Sequence, residues 1–402
     1  MTLHTLGSVS RSILVIALVS AMGIVGALPA GSSGTLARSA RGDEWRREPG
    51  GAKSALSAVT VNHTGKIFVA GSVRARPVMP GTNVHVDAML VAKYDRHGRL
   101  AWRETWRRSG LWFAHGEAVA PAPAGGVYVA GISGRYEGWS PVLWRYSASG
   151  RLLWHRTLPS PLGRADMRSI AADADGVVAA VHNSETGGPT AGGSFVYAFD
   201  HSGRVTWRTE FAVPGITGTM NGVNGVAIGD DGRIYAAGFV SRSQLDAQWQ
   251  DWDAVVQQLD RDGHVGWTRV VADPGVRDYD VAQAVDVAGG LVIAAGSTDN
   301  WTHGGVWAFT LDGQRRWVSS WGRRYQTTSP ALTIASWGAI YVAAVRSVYG
   351  PGSTTSTTAS LRQYEPDGTF VSSRAAAAYV AGVATADAIY VVSGPALERW
   401  LP

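Results

Sequence analysis

Apolar and polar positions along this chain sort into runs of four to seven residues, rich in Val, Ile, Tyr and Trp and separated by Gly-containing turns. Runs of that length and composition are β-strands. No amphipathic helix of useful length appears between them. The runs form one four-part phrase that recurs seven times. Its first part is a small residue followed by an aliphatic: Ala58-Val59, Ala118-Val119, Ser169-Ile170, Gly225-Val226, Ala284-Val285, Ala331-Leu332 and Gly382-Val383. Its second part is apolar throughout, as in IFVAG (67–71), VYVAG (127–131) and IYAAG (234–238). Its third and fourth parts are more polar and are joined by hairpin turns such as DRHG, SASG and DRDG. The fourth part ends in Trp at Trp102, Trp154, Trp207, Trp267 and Trp317, with intervals of 52, 53, 60 and 50 residues.

A period near 50 residues built only from strands predicts an all-β fold, a β-propeller of seven four-stranded antiparallel blades. The order of the parts has a physical sense. Small residues in the first strand suit the crowded centre of a ring. A second strand apolar on both faces suits a sheet packed between two neighbours. Polar third and fourth strands suit the rim. The seventh phrase lacks its fourth part before Pro402, and DEWRRE (43–48) supplies a Trp-bearing strand at the other end. The expectation is that this N-terminal strand completes the last blade and closes the ring, removing free sheet edges. The predicted blades span about 55–107, 114–158, 166–212, 222–271, 281–320, 329–375, and 380–402 with 43–48, within one domain of residues 43–402.

Composition adds an address. Arg11 precedes an uncharged apolar stretch from Ile13 to Ala30, with small residues at Ala27 and Ala30. That pattern predicts a signal peptide over 1–30, or an uncleaved anchor, followed by a flexible leader over 31–42, and hence a secreted or cell-envelope protein. The chain has no cysteine, which excludes disulfides, thiolate catalysis and Cys metal sites. Its net charge is +5, and removal of Arg11 with the signal leaves 35 basic against 31 acidic residues. The basic residues are dispersed, which argues against nucleic acid as partner. A monomer is expected.

The runs DAMLVAKYDRHGRLAW (87–102) and DAVVQQLDRDGHVGW (253–267) resemble the bacterial seven-bladed β-propeller repeat family, with Trp four residues after a turn Gly. The pairs are Gly98/Trp102, Gly150/Trp154, Gly203/Trp207, Gly263/Trp267 and Gly313/Trp317. The same spacing resembles the docking motif of quinoprotein propellers, which implies pyrroloquinoline quinone, calcium and alcohol or sugar oxidation. Those proteins usually have eight blades in a longer chain, and many carry a vicinal Cys pair. An eight-bladed outer-membrane assembly scaffold, normally a lipoprotein, is a second relative that the missing Cys sets apart. Propellers of this kind serve many functions.

Chemistry is sparse. None of the ten His makes a His-x-x-x-His or His-Glu-x-x-His spacing, and no Gly-x-Ser-x-Gly or Walker motif occurs. Asp260-x-Asp262-Gly263 reads as a hairpin turn, because strand follows where a calcium loop needs more oxygen ligands. No cofactor, metal or catalytic residue is therefore assigned. In an alternating sheet the long links, between strands two and three and between blades, share one face. Trp112, His115, Tyr136, Trp139 and His182 collect there, as do Trp249, Trp252, Trp301 and His303. These are the ligand-binding candidates, for loops on a rigid scaffold are favoured binding places and exposed Trp suits the faces of sugars. The plainer reading is that the rings pack loops onto the disc. Glu117, Glu185, Asp246 and Asp299 are carboxylates that a face assembled across blades could use. The expectation is a non-catalytic binding or scaffold module with a protein or glycan partner on the long-loop face. The alternative is a quinone-dependent dehydrogenase or a polysaccharide lyase or hydrolase.

Overall fold

The chain divides into two units, Met1–Ala40 and Arg41–Pro402. The computed structural model describes residues 44–77, 85–135, 137–160, 163–183, 193–216, 221–242, 251–271, 279–322, 326–328, 331–349, 355–376 and 379–402. The predicted signal and leader lie outside them. Among the described residues no helix is long and apolar enough to cross a membrane.

The phrase of four runs becomes a sheet of four antiparallel strands, seven times over. Blade one, for example, comprises Ser54–Val61, Ile67–Pro77, His85–Tyr94 and Leu100–Trp106, hydrogen-bonded in that order. Blade four comprises Asn221–Ile228, Ile234–Ser241, Trp252–Leu259 and Val265–Val271. The gradient of polarity from centre to rim is physical. All eight residues of Ile234–Ser241 are buried, whereas the outer strand Leu100–Trp106 buries none fully.

Seven apolar clusters form the core, one at each junction between consecutive blades. Phe68, Met89 and Val91 of blade one meet Val119, Val129 and Trp144 of blade two. The same happens around the disc until Leu56, Val59 and Ile67 of blade one meet Tyr390, Val392 and Leu397 of blade seven. Core residues thus run unbroken around the molecule, and the ring is closed.

The closing strand is Trp45–Arg47, paired antiparallel with Ala396–Trp400 in the register Trp45↔Arg399, Arg46↔Glu398, Arg47↔Leu397. It completes the sheet of Val380–Thr385, Ile389–Ser393 and Ala396–Trp400. Blade six departs from the simple phrase. Its innermost strand is split into Gln326–Thr328 and Leu332–Ile334, both pairing with Ile340–Tyr349.

The recurring Trp acts between blades. Each packs on the turn Gly of the next blade rather than on the Gly four residues before it. Trp45 lies over Gly98, Trp102 over Gly150, Trp154 over Gly203, Trp207 over Gly263, Trp267 over Gly313 and Trp317 over Gly368. A Cβ at Gly368 would sit 2.6 Å from the Trp317 ring, so only Gly admits it. Each indole Nε1 also donates to a carbonyl of that next turn, for instance Trp207 to Arg261 O at 2.7 Å and Trp317 to Pro366 O at 2.8 Å. Blade six carries Ser372 where this Trp would stand. In blade seven no hairpin joins the third strand, Ala396–Trp400, to the fourth, Trp45–Arg47, so there is no turn for it to cap. Arg374 takes over: it pairs with Glu44 at 3.0 and 3.2 Å and lies 4.3 Å from the Trp400 ring centroid.

One half-buried carboxylate links blades five and six. Asp286 accepts hydrogen bonds from Ile334 N at 2.8 Å and Val287 N at 2.9 Å, and burial pushes its carboxyl up to about 6. The folded state therefore binds this proton more tightly than the unfolded chain. The stability so contributed is fully present below the ordinary Asp value and is lost as pH rises through about 6. Thermal melts of the wild type and Asp286→Asn at pH 4.5 and 7.5 check this. The melting temperature of the wild type relative to the variant should be higher at pH 4.5. The reverse order would refute it.

Candidate functional site

The first strands of neighbouring blades lie side by side around the axis, so whatever they present lines the central channel. In six blades the pairing of first and second strand slips by one residue at the same place. The slips fall between Leu56 and Ala58, Gly116 and Ala118, Met167 and Ser169, Val223 and Gly225, Ala282 and Ala284, and Val380 and Gly382. Each is a β-bulge, a device that re-aims one side chain out of the ladder. The residues so released are Ser57, Glu117, Arg168, Asn224, Gln283 and Ala381. All six are half-buried.

Each released residue lies in the first half of its strand, the half toward the long loops. The released residues are polar on blades two to five and small on blades one and seven. On the polar side they meet one another. Arg168 Nη1 donates to Asn224 Oδ1 at 2.8 Å, and Asn224 Nδ2 donates to Ala282 O beside the next bulge at 2.9 Å. Arg168 Nη2 pairs with Asp166 Oδ2 at 3.2 Å. Trp139 Nε1 donates to the other oxygen of Asp166 at 2.5 Å, and the Arg164 guanidinium lies 5.2 Å from the Trp139 ring centroid.

Glu117 is the exception in this bonded arc. Its Oε2 is closed off from solvent and has no hydrogen-bond partner. Burial, and then the neighbouring Asp166, push the carboxyl above the ordinary range, although Arg168 acts the other way. The shift favours the protonated carboxylic acid, which can donate as well as accept.

The sequence candidates separate into two groups. Trp139 and His115 join the arc. Trp139 holds Asp166 and touches Phe113 edge-on, with ring centroids 6.3 Å apart. His115 lies 5.3 Å from the Phe113 ring, and its Nε2 is 3.3 Å from Asp87 Oδ2. Trp112 lies in the link before them, its amide donating to Gly134 O at 2.9 Å. His182 and Trp252 are placed inward instead. His182 is 3% exposed, and burial, helped by Arg168, holds its imidazole well below the ordinary range, so it is neutral. Trp252 is 2% exposed and stacks on Phe239 at 4.5 Å, which in turn touches His182. Both rings pack the wall behind the arc.

Trp301 closes a left-handed turn, Asp299-Asn300-Trp301, with φ of 55°, 57° and 66°; His303 pairs with Asp299 at 3.0 Å. These belong to a loop of blade five in which Asp299 N donates to Asp280 Oδ1 at 2.9 Å. Tyr136, Trp249, Glu185 and Asp246 lie outside the described residues. The Asp260, Asp262 and His264 group is an exposed hairpin turn in which Asp260 Oδ1 accepts from the amides of Asp262 and His264 at 2.9 and 2.8 Å.

Arg168, Asn224 and Gln283 were not singled out from sequence. A signal was present: each immediately precedes the small–aliphatic pair that opens its repeat. Reading that column around the ring yields Ser, Glu, Arg, Asn, Gln, Pro and Ala.

The fold and this channel mouth define the class of the protein, a seven-bladed β-propeller. Comparisons with protein-family models and with curated proteins find no match. Solved structures do match. Hydrazine synthase from Kuenenia stuttgartiensis has a TM-score of 0.53 and 12% identity, covering 86% of this chain and 93% of that one. Virginiamycin B lyase from Staphylococcus aureus has a TM-score of 0.51 and 9% identity, covering 89% and 98%. Drosophila Plexin A, solved in complex with Semaphorin 1b, has a TM-score of 0.50 and 10% identity, covering 89% and 86%. At these identities the likeness is one of fold. Enzymes and binding proteins share it.

Proposed function

We propose that this protein is an exported binding module that takes a hydroxyl-rich glycan of the cell envelope at the long-loop mouth of its channel, without chemistry. The observation that carries this reading is the polar arc of Glu117, Arg168, Asn224 and Gln283, raised by four consecutive bulges and flanked by Trp139. Bulges placed alike in successive blades turn a structural repeat into one composite surface. The bonded members of that arc are rigid, which lowers the entropy cost of binding. An aromatic face beside polar groups matches a sugar, apolar on its ring faces and polar at its edge.

A glycan array and peptidoglycan pull-down, followed by calorimetry on the hits, test it. Arg168→Ala and Glu117→Ala should each weaken binding by at least about tenfold, the cost of a buried polar partner left unpaired. Wild-type affinity in both variants would refute the site. A second reading, polysaccharide cleavage, draws on the contrast between two neighbouring carboxyls: Asp166 held by two donors, Glu117 with its Oε2 unpartnered. Shortening of the bound polysaccharide on incubation would establish it.

A further inference from the structure

We propose a second binding place, at the rim between blades one and two, that takes an arginine with a free carboxylate. The repeat supplies its own comparison. Two residues after a docking Trp, a side chain reaches the next hairpin and donates to a carbonyl there. Arg47 donates to Gly98 O at 2.7 Å, Arg156 to Ser202 O at 3.0 Å, Thr209 to Gly263 O at 2.6 Å and Arg269 to Gly313 O at 2.6 Å. The three arginines also lie over their docking Trp, 5.4, 5.4 and 5.5 Å from the ring centroid.

Between blades one and two this place holds the exposed Glu104, two residues after Trp102. A carboxylate has no hydrogen to give Gly150 O, the carbonyl that the pattern assigns to it. Two acceptors therefore border a gap that a guanidinium fills at the other junctions. The gap is a cleft of about 320 Å³ whose walls include Glu104, Trp106, Tyr146, Gly150, Arg151 and Leu152. Between blades five and six the same place holds Ser319, which brings no charge.

A second column of the repeat breaks at this junction. Four of the hairpins between third and fourth strands follow their turn Gly with a basic residue. In three of them the Asp of the turn holds it: Arg99 with Asp95 at 2.9 Å, Arg204 with Asp200 at 3.2 Å and His264 with Asp260 at 3.1 Å. The fourth is Arg151, whose turn opens with Ser147 instead. Ser147 Oγ accepts from the Arg151 amide at 3.1 Å but cannot neutralise the guanidinium. Arg151 is exposed, and among the described residues neither it nor Glu104 has an ion-pair partner.

One cleft thus offers an anion with a carbonyl beside it, a cation, and the ring of Trp106. Free arginine, or an arginine that ends a peptide, matches both charges. Its guanidinium takes the position of Arg47, Arg156 and Arg269 in their own junctions, paired with Glu104 and donating to Gly150 O. The planar fork of donors suits two acceptors on one edge. Its carboxylate pairs with Arg151. The cleft is at the lower end of small-ligand pockets, about 300–1,000 Å³, a size suited to one residue. It lies on the outermost strand, whereas the channel mouth is built on the innermost, so the two sites stand or fall separately.

Calorimetry on the full chain tests this with L-arginine, agmatine, which lacks the carboxylate, citrulline, which lacks the positive charge, and glycyl-arginine. L-Arginine should bind with a Kd of about 1 mM or tighter, and agmatine and citrulline at least about fivefold more weakly. Glu104→Gln should weaken L-arginine by about fivefold. Glu104→Arg restores the residue type of the neighbouring junctions. It should fill the cleft and abolish binding, with a melting temperature equal to or above that of the wild type. Tighter binding of glycyl-arginine would assign the ligand to a peptide end, and tighter binding of L-arginine to the free amino acid; either sustains the site. Equal binding of agmatine or citrulline, unchanged binding in Glu104→Arg, or no binding of L-arginine or glycyl-arginine by folded wild type up to about 10 mM would overturn it.

Discussion

A chain lacking residues 43–50 melts about 10 °C or more below the full chain. The deleted segment contains the strand Trp45–Arg47, which is the outer edge of blade seven and links that edge to blade one by a docking Trp. Trp45 packs over Gly98 and donates to Arg96 O at 3.3 Å; Arg47 donates to Gly98 O at 2.7 Å. Arg46 pairs with Glu398 at 2.6 Å, and Glu44 with Arg374 on blade six at 3.0 Å. The exposed ion pairs contribute little. The Trp carries most of the effect, since removing a packed Trp costs about 3–5 kcal/mol. At about 2 °C or more per kcal/mol for a domain of this size, the loss reaches roughly 10 °C. Calorimetry or circular dichroism melts measure it, with Trp45→Ala as the smaller change in the same direction. An unchanged melting temperature in the deletion would remove the latch from the account of ring closure.

The second large effect comes from one hydrogen atom replaced by a methyl group. In Gly131→Ala, the new Cβ would sit 1.9 Å from His115 O and 3.0 Å from Glu117 N. Both contacts are backbone, so no side chain can swing away. The strand must shift, and the first thing it displaces is the bulge that presents Glu117. A loss of about 1–3 kcal/mol in stability is expected from overpacking, together with loss of glycan binding in the protein that remains folded. Gly65→Ala is the contrast. Nothing stands within 4 Å of its Cβ, and its φ of 71° alone sets a cost of about 1 kcal/mol, with binding unaffected. Denaturant melts and calorimetry on both variants decide. Full binding in Gly131→Ala would mean that the bulge is not what positions the site.

These two variants mark the limits of what was legible beforehand. The latch was readable from sequence because a missing fourth run at one end and a spare Trp-bearing run at the other are both local patterns. The bulge was not. Ala118-Val119 announces an inner strand, but a slip in pairing is a relation between two strands. It depends on where Gly131 lets His115 O approach. Trp139 and Trp252 make the same point. Both are Trp in the long-loop region, and only packing places one against Asp166 and the other beneath Phe239.

Local pattern therefore determined the strands, the number of blades and the closure, because period, turn Gly and apolar runs act over a few residues. Tertiary structure alone decided which side chains share a surface. Glu117, Arg168 and Asn224 stand more than 50 residues apart in order, and successive bulges in a closed ring bring them to one level. It also decided that each recurring Trp serves the next blade rather than its own, since a ring is stable only when every blade is packed by its neighbour.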